Sequence, residues 1–298
     1  MCSSDLVIDL AGTGYSIHNN YRNLFITNSF SFSEVIFARR HGSSNDFEKA
    51  NYPVGYDLGK SGTTPSQNLV DAYEMKDGTK FSWTNAAHAA KPYANRDPRL
   101  GESILMNDTL FKGRKVECWA GGKDGVGLIN ATRTGYYLKK HSNENLNLLT
   151  NTTGVQSWNI FRLAEMYLNY AEALNEYSAG HPDIKLYVDF VRSRTGVGMP
   201  ALPSGLSQAD MRERIRNEKR VEFAFEDHRA WDVRRWMQAP QYLGVPLMGV
   251  EVTKNTNGTF TYKPVKVEDR VFAPKMYLYP LPQSEINTSK GLVQNPLW

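Results

Sequence analysis

Cysteine is scarce in this 298-residue chain, and that scarcity excludes several kinds of protein. Cys2 and Cys118 are its two cysteines, too few for a disulfide framework or for a multi-cysteine zinc site. The six histidines form no H-x-x-x-H pair or similar set that could replace cysteine as metal ligands. We therefore expect no bound metal ion.

The glycine motifs that bind nucleotide phosphates are also missing. The cluster GGKDGVG at 121–127 has neither the Lys followed by Ser or Thr of a P-loop nor the G-x-G-x-x-G spacing of a dinucleotide site. A Gly-x-Ser-x-Gly elbow, which would present a nucleophilic serine, does not occur. The sequence thus predicts a turn at 121–127 and no cofactor.

Long apolar runs and a strong charge of one sign are lacking as well. No run of about 18 apolar residues is present, and the first residues, MCSSDL, do not form an export signal. The net charge of +4 is small and evenly spread, so we expect no nucleic acid partner. Aromatic residues, in contrast, make up 12% of the chain, which favours a surface that binds ligand by stacking.

Charge and helical period coincide most densely between residues 216 and 236. Glu218, Glu222 and Glu226 follow at four-residue steps and therefore share one line of a helix. The sequence predicts a partly buried ion-pair network, because a desolvated carboxylate is best satisfied by the planar fork of arginine. The nearby arginines predicted as partners are Arg216, Arg220, Arg229, Arg234 and Arg235.

Two other interpretations of this stretch involve its acidic and aromatic residues. Glu218 and Glu222 could serve as the acid and base of a glycoside hydrolase. Several arginines would hold both carboxylates ionised, however, whereas a general acid needs a raised pKa. Trp231 and Trp236 could be sugar platforms, but their position in an arginine-rich helix favours a place in the core, and His228 is likewise predicted to be a packed helix residue.

The period of apolar residues is helical from Asn159 onward. Gly180 and Pro182 mark a turn between two helices, the second of which is predicted to end at Gly196. Ser207 is typical of the N-cap of a third helix, which is predicted to break near Asp227 and then resume. Two helical hairpins in succession indicate repeats of tetratricopeptide type.

A short helix is predicted from Ser66 to a stop at Asp77 and Gly78, and an extended segment with two prolines follows at 91–100. The other residues lack helical period. The sequence thus predicts a mainly α fold, in which tetratricopeptide-like helical hairpins pack against a loop-rich irregular region with short strands. Within a single domain, 1–298, we expect a loop-rich, ligand-facing part at 7–157, a helical-repeat part at 158–239 and an extended part at 240–298, with a hairpin at 255–258.

A long surface loop is predicted at 41–65, where Gly, Ser, Asn and Pro are frequent. Such a loop can hold aromatic rings out to solvent, where regular structure would bury them. We expect Tyr52 and Tyr56 to stack against sugar rings there, with Asn51 as a hydrogen-bonding group.

Several segments carry a resemblance to a known family. They are FRLAEMYLNYAEALNE (161–176), VRSRTG (191–196), NEKRVEFAFEDHRAWDVRRW (217–236) and the terminal YPLPQSEIN…QNPLW (279–298), extended by SEVIF, PSQNLVDAYEMKDG and RDPRL. In this order they resemble the C-terminal region of the SusD/RagB family, the nutrient-binding outer-membrane lipoproteins of Bacteroidetes-type bacteria. The family pattern differs here at Lys219 and at Asp227, which replaces a usual Gly.

The resemblance implies a surface-exposed protein of the cell outer membrane that captures oligosaccharide and delivers it to a SusC-type TonB-dependent transporter. A peptide ligand is the alternative, as in the RagB branch, and no catalysis is implied. Because family members begin with a lipoprotein signal and an N-terminal helical half, we expect this chain to be a fragment whose lipid-anchor cysteine lies outside it. A helical-repeat adaptor, the remaining alternative, would show more repeats and fewer aromatic residues in loops.

Overall fold

The structure is a computed structural model that describes residues 8–9 and 14–298. The longest helices lie between residues 163 and 235 and form the regular part of the chain. The helices are α1 Asn23–Ile26, α2 Asp46–Asn51, α3 Gln67–Val70, α4 Ala86–Ala90, α5 Pro98–Ser103, α6 Leu163–Tyr177, α7 Pro182–Arg192, α8 Gln208–Glu222, α9 Arg229–Arg235, α10 Ala239–Leu243 and α11 Gln283–Thr288. The strands are β1 Val35–Arg40, β2 Ile104–Leu105, β3 Leu110–Phe111, β4 Arg114–Lys115, β5 Tyr137–Leu138, β6 Ser157–Arg162, β7 Leu247–Lys254 and β8 Phe260–Glu268. Cys2 and the start of the predicted part 7–157 lie outside the described residues.

Helices α6, α7 and α8 pack into the predicted helical hairpins. The cluster between them includes Leu168 from α6, Val188 from α7 and Ile215 from α8, each almost fully buried. Pro182 opens α7, and the hydroxyl of Ser207 accepts a hydrogen bond from the amide of Asp210, so both predicted helix starts are confirmed. The mainly α, tetratricopeptide-like fold class is confirmed too.

The predicted start of the first of these helices at Asn159 is wrong. Residues 157–162 form β6, which pairs antiparallel with β1, and the helix begins at Leu163. Ser157 and Asn159 are buried while Ile160 and Phe161 are exposed, so the backbone pairing with β1 outweighs the apolar pattern. The division of the chain at 157 and 239 stays a prediction.

The predicted break between α8 and α9 also lies earlier than the sequence indicates. The helix ends at Glu222 rather than near Asp227, and both Phe225 and Asp227 adopt a positive φ of 64°. This tight, left-handed turn brings Glu226 back toward the carboxylates of α8. A continuous helix would have placed Glu226 a full turn further along the same line, whereas the turn lets Glu226 and Glu222 bind the same arginine, Arg162.

The irregular part of the chain is more ordered than the sequence suggests. The predicted surface loop 41–65 contains α2, and the predicted extended segment after Lys91 contains α5. Four two-stranded antiparallel sheets, β1–β6, β2–β5, β3–β4 and β7–β8, are present among the described residues. The hairpin β7–β8 confirms the predicted turn at 255–258.

No helix within residues 8–9 and 14–298 is both long enough and apolar enough to cross a bilayer.

Candidate functional site

The carboxylates of the central stretch are structural. Glu218 and Glu222 are 2% and 0% exposed. The Nη1 atom of Arg99 lies 2.6 Å from one oxygen of Glu218 and 2.8 Å from one of Glu222. The other oxygen of Glu222 accepts hydrogen bonds from Arg162 at 2.7 Å and Arg194 at 2.8 Å. The predicted buried network is confirmed.

The predicted partners of these carboxylates are wrong. The arginines that bind them lie in α5, in β6, at the end of α7 and in the turn after α7: Arg99, Arg162, Arg192 and Arg194. The nearby Arg216 and Arg235 instead pair with Glu213 and Glu172. The network therefore joins the irregular part of the chain to the helical part.

The environment of Glu222 counts against the glycoside hydrolase alternative. Burial alone would raise its pKa, but the guanidinium groups of Arg194, Arg162 and Arg99 lower the pKa below its ordinary value. A carboxyl held ionised in this way cannot donate a proton to a leaving group near neutral pH. Glu218, bound by Arg99 and Arg192, has no access to solvent from which a saccharide could approach.

The predicted exposure of Tyr52, Tyr56 and Asn51 is wrong. Tyr52 is fully buried, and Tyr56 and Asn51 are 8% and 6% exposed. Both tyrosine rings pack edge-on against Phe111, and both hydroxyls donate to backbone carbonyls. The segment around α2 folds inward because its tyrosine side chains form one core with Phe111 of β3. The part of these three residues in ligand binding stays a prediction.

Arg114 and Asp124 connect the buried ring of Tyr56 to the turn at 121–127. Arg114 lies over its ring at 3.7 Å and binds the buried carboxylate of Asp124 through two hydrogen bonds of 2.7 and 2.9 Å. Asp124 also accepts hydrogen bonds from the amides of Gly55 and Glu117. These contacts hold the glycine-rich turn, predicted at 121–127, against the irregular part.

We expect Tyr56→Phe to lower the free energy of unfolding by about 1 kcal/mol, because the buried carbonyl of Phe111 loses its donor. The stack between the ring and Arg114 is kept, so ligand affinity should stay within about twofold of the parent, well below the tenfold step of about 1.4 kcal/mol. Urea unfolding followed by calorimetric titration measures both quantities. Lower affinity at unchanged stability would instead place Tyr56 in direct contact with ligand.

The two tryptophans predicted for the core have different surroundings. Trp231 is 62% exposed, so its predicted burial is wrong: α9 is short and turns this ring toward the C-terminal tail, where Tyr279 lies 6.1 Å away. Trp236 is half-buried, and its indole donates to Glu172 at 2.6 Å. His228 is half-buried and stacked on Phe223, as predicted for a packed residue.

Half-buried aromatic rings converge elsewhere, beside the hairpin β7–β8. Tyr93 and Tyr262 lie edge to face at 5.1 Å, and Trp119 and Phe260 lie 5.1 Å apart with an interplanar angle of 32°. Phe260 and Tyr262 share one face of β8 because they are two residues apart. We call these four rings, Tyr93, Trp119, Phe260 and Tyr262, the aromatic ridge.

Small-molecule sites have volumes of about 300–1,000 Å³, and a cavity of about 480 Å³ lies beside the aromatic ridge. This hairpin cavity lies between residues 118–133 and β7. Cys118, Val250 and Val252 form an apolar floor, while Arg133, Glu251 and Lys254 supply charged groups. The ammonium of Lys254, which lines the cavity, lies 4.6 Å from the centre of the Trp119 ring, so the ridge and the cavity are direct neighbours.

Close backbone packing fixes the shape of the hairpin cavity. The amide of Val250 donates to the carbonyl of Thr134 at 2.9 Å, which anchors the segment before β5 on β7. Gly135 has a φ of +81°, and a Cβ atom there would lie 2.5 Å from the carbonyl oxygen of Val250. Glycine is required at this position for both reasons.

The site has the chemistry of saccharide recognition. A pyranose ring presents a C–H face to an aromatic ring and hydroxyl groups around its edge. The ridge offers the rings, and the charged side chains beside it can donate to or accept from hydroxyls. Sequence reasoning missed this site because its rings come from three distant segments, although the alternation of Phe260 and Tyr262 in a predicted hairpin was a usable signal.

The fold defines a helical-repeat protein with an irregular, aromatic-rich part, and comparison with known proteins agrees with this fold. The model of the SusD family matches residues 33–298. The chain belongs to the SusD family.

Individual relatives are similar to much of the chain. A SusD-like protein of Bacteroides fragilis is 29% identical, with a TM-score of 0.85 over 99% of this chain and 61% of its own. A SusD-like carbohydrate-binding protein of the same species is 26% identical, with a TM-score of 0.82 over 95% of this chain and 59% of its own. A SusD-like protein of Formosa agariphila is 28% identical over 74% of this chain and 43% of its own length. The chain thus spans less than two thirds of each of these relatives.

Proposed function

We propose that this chain is part of a cell-surface glycan-binding protein and that an oligosaccharide lies across the aromatic ridge and the hairpin cavity. The observation that carries the proposal is the position of the half-buried Trp119 ring beside a cavity with an apolar floor and charged groups. Membership of the SusD family supports it, as does the similarity to a carbohydrate-binding protein of Bacteroides fragilis.

The ridge gives the ligand its orientation. Trp119 and Phe260 are tilted by 32° rather than parallel, so successive sugar units of a curved chain can each meet one ring. Lys254, above Trp119, and Glu251, on the same strand, then lie within reach of equatorial hydroxyls. Tyr56 acts as a positioning residue, because the Arg114 that rests on it holds Asp124 and the turn that walls the cavity.

The proposal extends to transport. The protein captures oligosaccharide at the outer membrane, where a lipid anchor holds it, and delivers it to a SusC-type TonB-dependent transporter without cleaving it. Family membership supports this role. The buried, arginine-bound state of Glu218 and Glu222 supports binding without catalysis.

We expect Trp119→Ala to weaken oligosaccharide binding by about tenfold, since one aromatic contact contributes about 0.5–1.5 kcal/mol beyond the area it buries. Trp231→Ala is the matched control, because Trp231 is an exposed tryptophan outside the site. Calorimetric titration with a panel of neutral α- and β-linked oligosaccharides and of peptides measures the change.

The panel separates the alternatives. Binding that depends on Trp231 and not on Trp119 would move the site to the C-terminal tail. Peptides that bind where no saccharide does would favour the RagB-type alternative. Release of reducing sugar, abolished by Glu222→Gln with folding intact, would contradict the proposal that this protein does not cleave its ligand.

A further inference from the structure

A second cavity, of about 310 Å³, is lined mainly by charged side chains, four of which are arginines. It lies beside α8 and α9 and shares no lining residue with the hairpin cavity. Its charged lining comprises the cations Lys80, Arg214, Arg216, Arg220 and Arg229 and the acids Glu74, Asp210 and Glu213. We call it the arginine cavity.

The acids of the arginine cavity are already engaged. Glu74 binds Arg192 at 2.9 Å and Arg214 at 2.5 Å. Glu213 pairs with Arg216 at 3.1 Å. Asp210 accepts a hydrogen bond of 2.6 Å from the hydroxyl of Ser207 at the start of α8. Glu74 and Glu213 are therefore already paired with Arg192, Arg214 and Arg216, whereas Asp210 keeps its negative charge at the start of α8.

Two arginines of this cavity have no carboxylate within 4.0 Å among the described residues. Arg220 donates to the backbone carbonyl of Asn68, and its guanidinium carbon lies 5.7 Å from the centre of the Tyr242 ring. Arg229 lies 4.2 Å from the same ring. Arg99, Arg162, Arg192 and Arg194, in contrast, each bind at least two carboxylates.

The electrostatics of the pair are unfavourable as they stand. Burial, and then the like charge of Arg229, lower the pKa of Arg220 to about 10. Burial likewise lowers the pKa of Arg229. In addition, the Nε atom of Arg216 is a buried donor without a hydrogen-bond partner. Positive charge and one unpaired buried donor thus belong to residues that line the same cavity.

We propose that the arginine cavity binds an oxyanion group, a carboxylate or a sulfate or phosphate ester, carried by a sugar unit of the ligand or present as a free ion. Planar guanidinium groups bind such groups through paired charge-assisted hydrogen bonds. The volume lies at the small end of ligand sites, which suits one acidic monosaccharide unit. The oxyanion would lie between the positive charges of Arg220 and Arg229 and would accept a hydrogen bond from the Nε of Arg216.

The test is thermal unfolding and calorimetric titration of the chain with sodium sulfate, phosphate, glucuronate, glucose 6-sulfate and glucose, at ionic strength matched with chloride. We expect the oxyanions, and not glucose, to raise the unfolding midpoint, since a ligand that binds the folded state stabilises it. Arg229→Gln should raise the dissociation constant about tenfold or more. Arg212→Gln is the control, because Arg212 pairs with Glu176 on the exposed face.

Each result has one meaning. Binding by glucuronate or glucose 6-sulfate assigns the site to an acidic saccharide, while binding by sulfate or phosphate alone assigns it to a free ion. Either supports the oxyanion site. Equal affinity in Arg229→Gln and Arg212→Gln, or no binding by any oxyanion, overturns it. Arg220→Gln provides a second variant if Arg229→Gln does not fold. Trp119→Ala should leave the response unchanged, so that the two sites are tested separately.

Discussion

Glu222→Gln is expected to lower the free energy of unfolding by about 3–5 kcal/mol, because removing one partner leaves buried charges uncompensated. Glu222 is fully buried and lies within 2.8 Å of guanidinium nitrogens of Arg99, Arg162 and Arg194. A neutral amide has the same size, but it supplies no counter-charge and presents hydrogens where these donors need acceptors.

Urea unfolding at pH 7 measures this change. Glu176→Gln is the matched control: Glu176 also binds an arginine, Arg212, through oxygens 2.6 Å away, but its side chain is 47% exposed. We expect a loss of no more than about 1 kcal/mol there, as for other surface ion pairs. Equal losses in the two variants would mean that the buried network contributes no more than a surface contact.

Acid is expected to unfold the protein between about pH 4.5 and pH 2, because carboxylates of lowered pKa must be protonated in that range. Burial acts against ionisation of Glu226, but Arg162 and Lys140 lower its pKa to about 2. Glu172 likewise has its pKa lowered to about 2, against burial, by Arg235 and Lys219. Each group binds a proton more readily in the unfolded chain, so its contribution is present at neutral pH and lost as the pH falls.

For each of these two groups the expected loss is about 3 kcal/mol once the pH is below the folded pKa of about 2, and about 2 kcal/mol of it has occurred by pH 3. Free energies of unfolding in urea at pH 7, 4.5 and 3 measure it. Glu226→Gln should be less stable than the parent at pH 7 and should show a shallower dependence below pH 4.5, since one titrating group is gone. An identical slope in parent and variant would contradict the assignment to Glu226.

The helical part was predictable from sequence because its signals are local. Ser207 caps its helix, Pro182 opens another, and the apolar period of α6 and α7 fixes which faces meet. The errors fall where tertiary contacts decide. Residues 157–162 adopt the strand that β1 requires, and Phe225 and Asp227 adopt positive φ so that Glu226 can reach Arg162.

The candidate sites were harder to predict, for a physical reason. Periodicity shows which residues share an element, but not which side of a loop meets the core. Tyr52 and Tyr56 occur in a segment with the composition of an exposed loop, yet their rings complete the core around Phe111. Trp119 meets Phe260 only after two distant segments have packed together. No local sequence pattern predicts the contact between Trp119 and Phe260.

The arginines of the buried network lie in the sequence segments that resemble the SusD/RagB family. Arg99 lies in RDPRL, Arg162 in FRLAE, and Arg192 and Arg194 in VRSRTG, while their carboxylates lie in SEVIF and NEKRVEFAFED. Segments scattered along the sequence are therefore halves of the same ion pairs. These sequence segments therefore belong to one set of buried ion pairs rather than to several separate motifs.

The two walls of the hairpin cavity, residues 118–133 and the hairpin 247–268, contribute no side chain to that ion-pair network. The buried network and the proposed glycan site are thus encoded largely by different stretches of sequence. Exchanging these two stretches for those of a relative should change the proposed ligand preference and keep the ion-pair network, provided that the buried Cys118, Val250 and Val252 are retained. The ion pairs would then hold the fold together while the ligand surface varies.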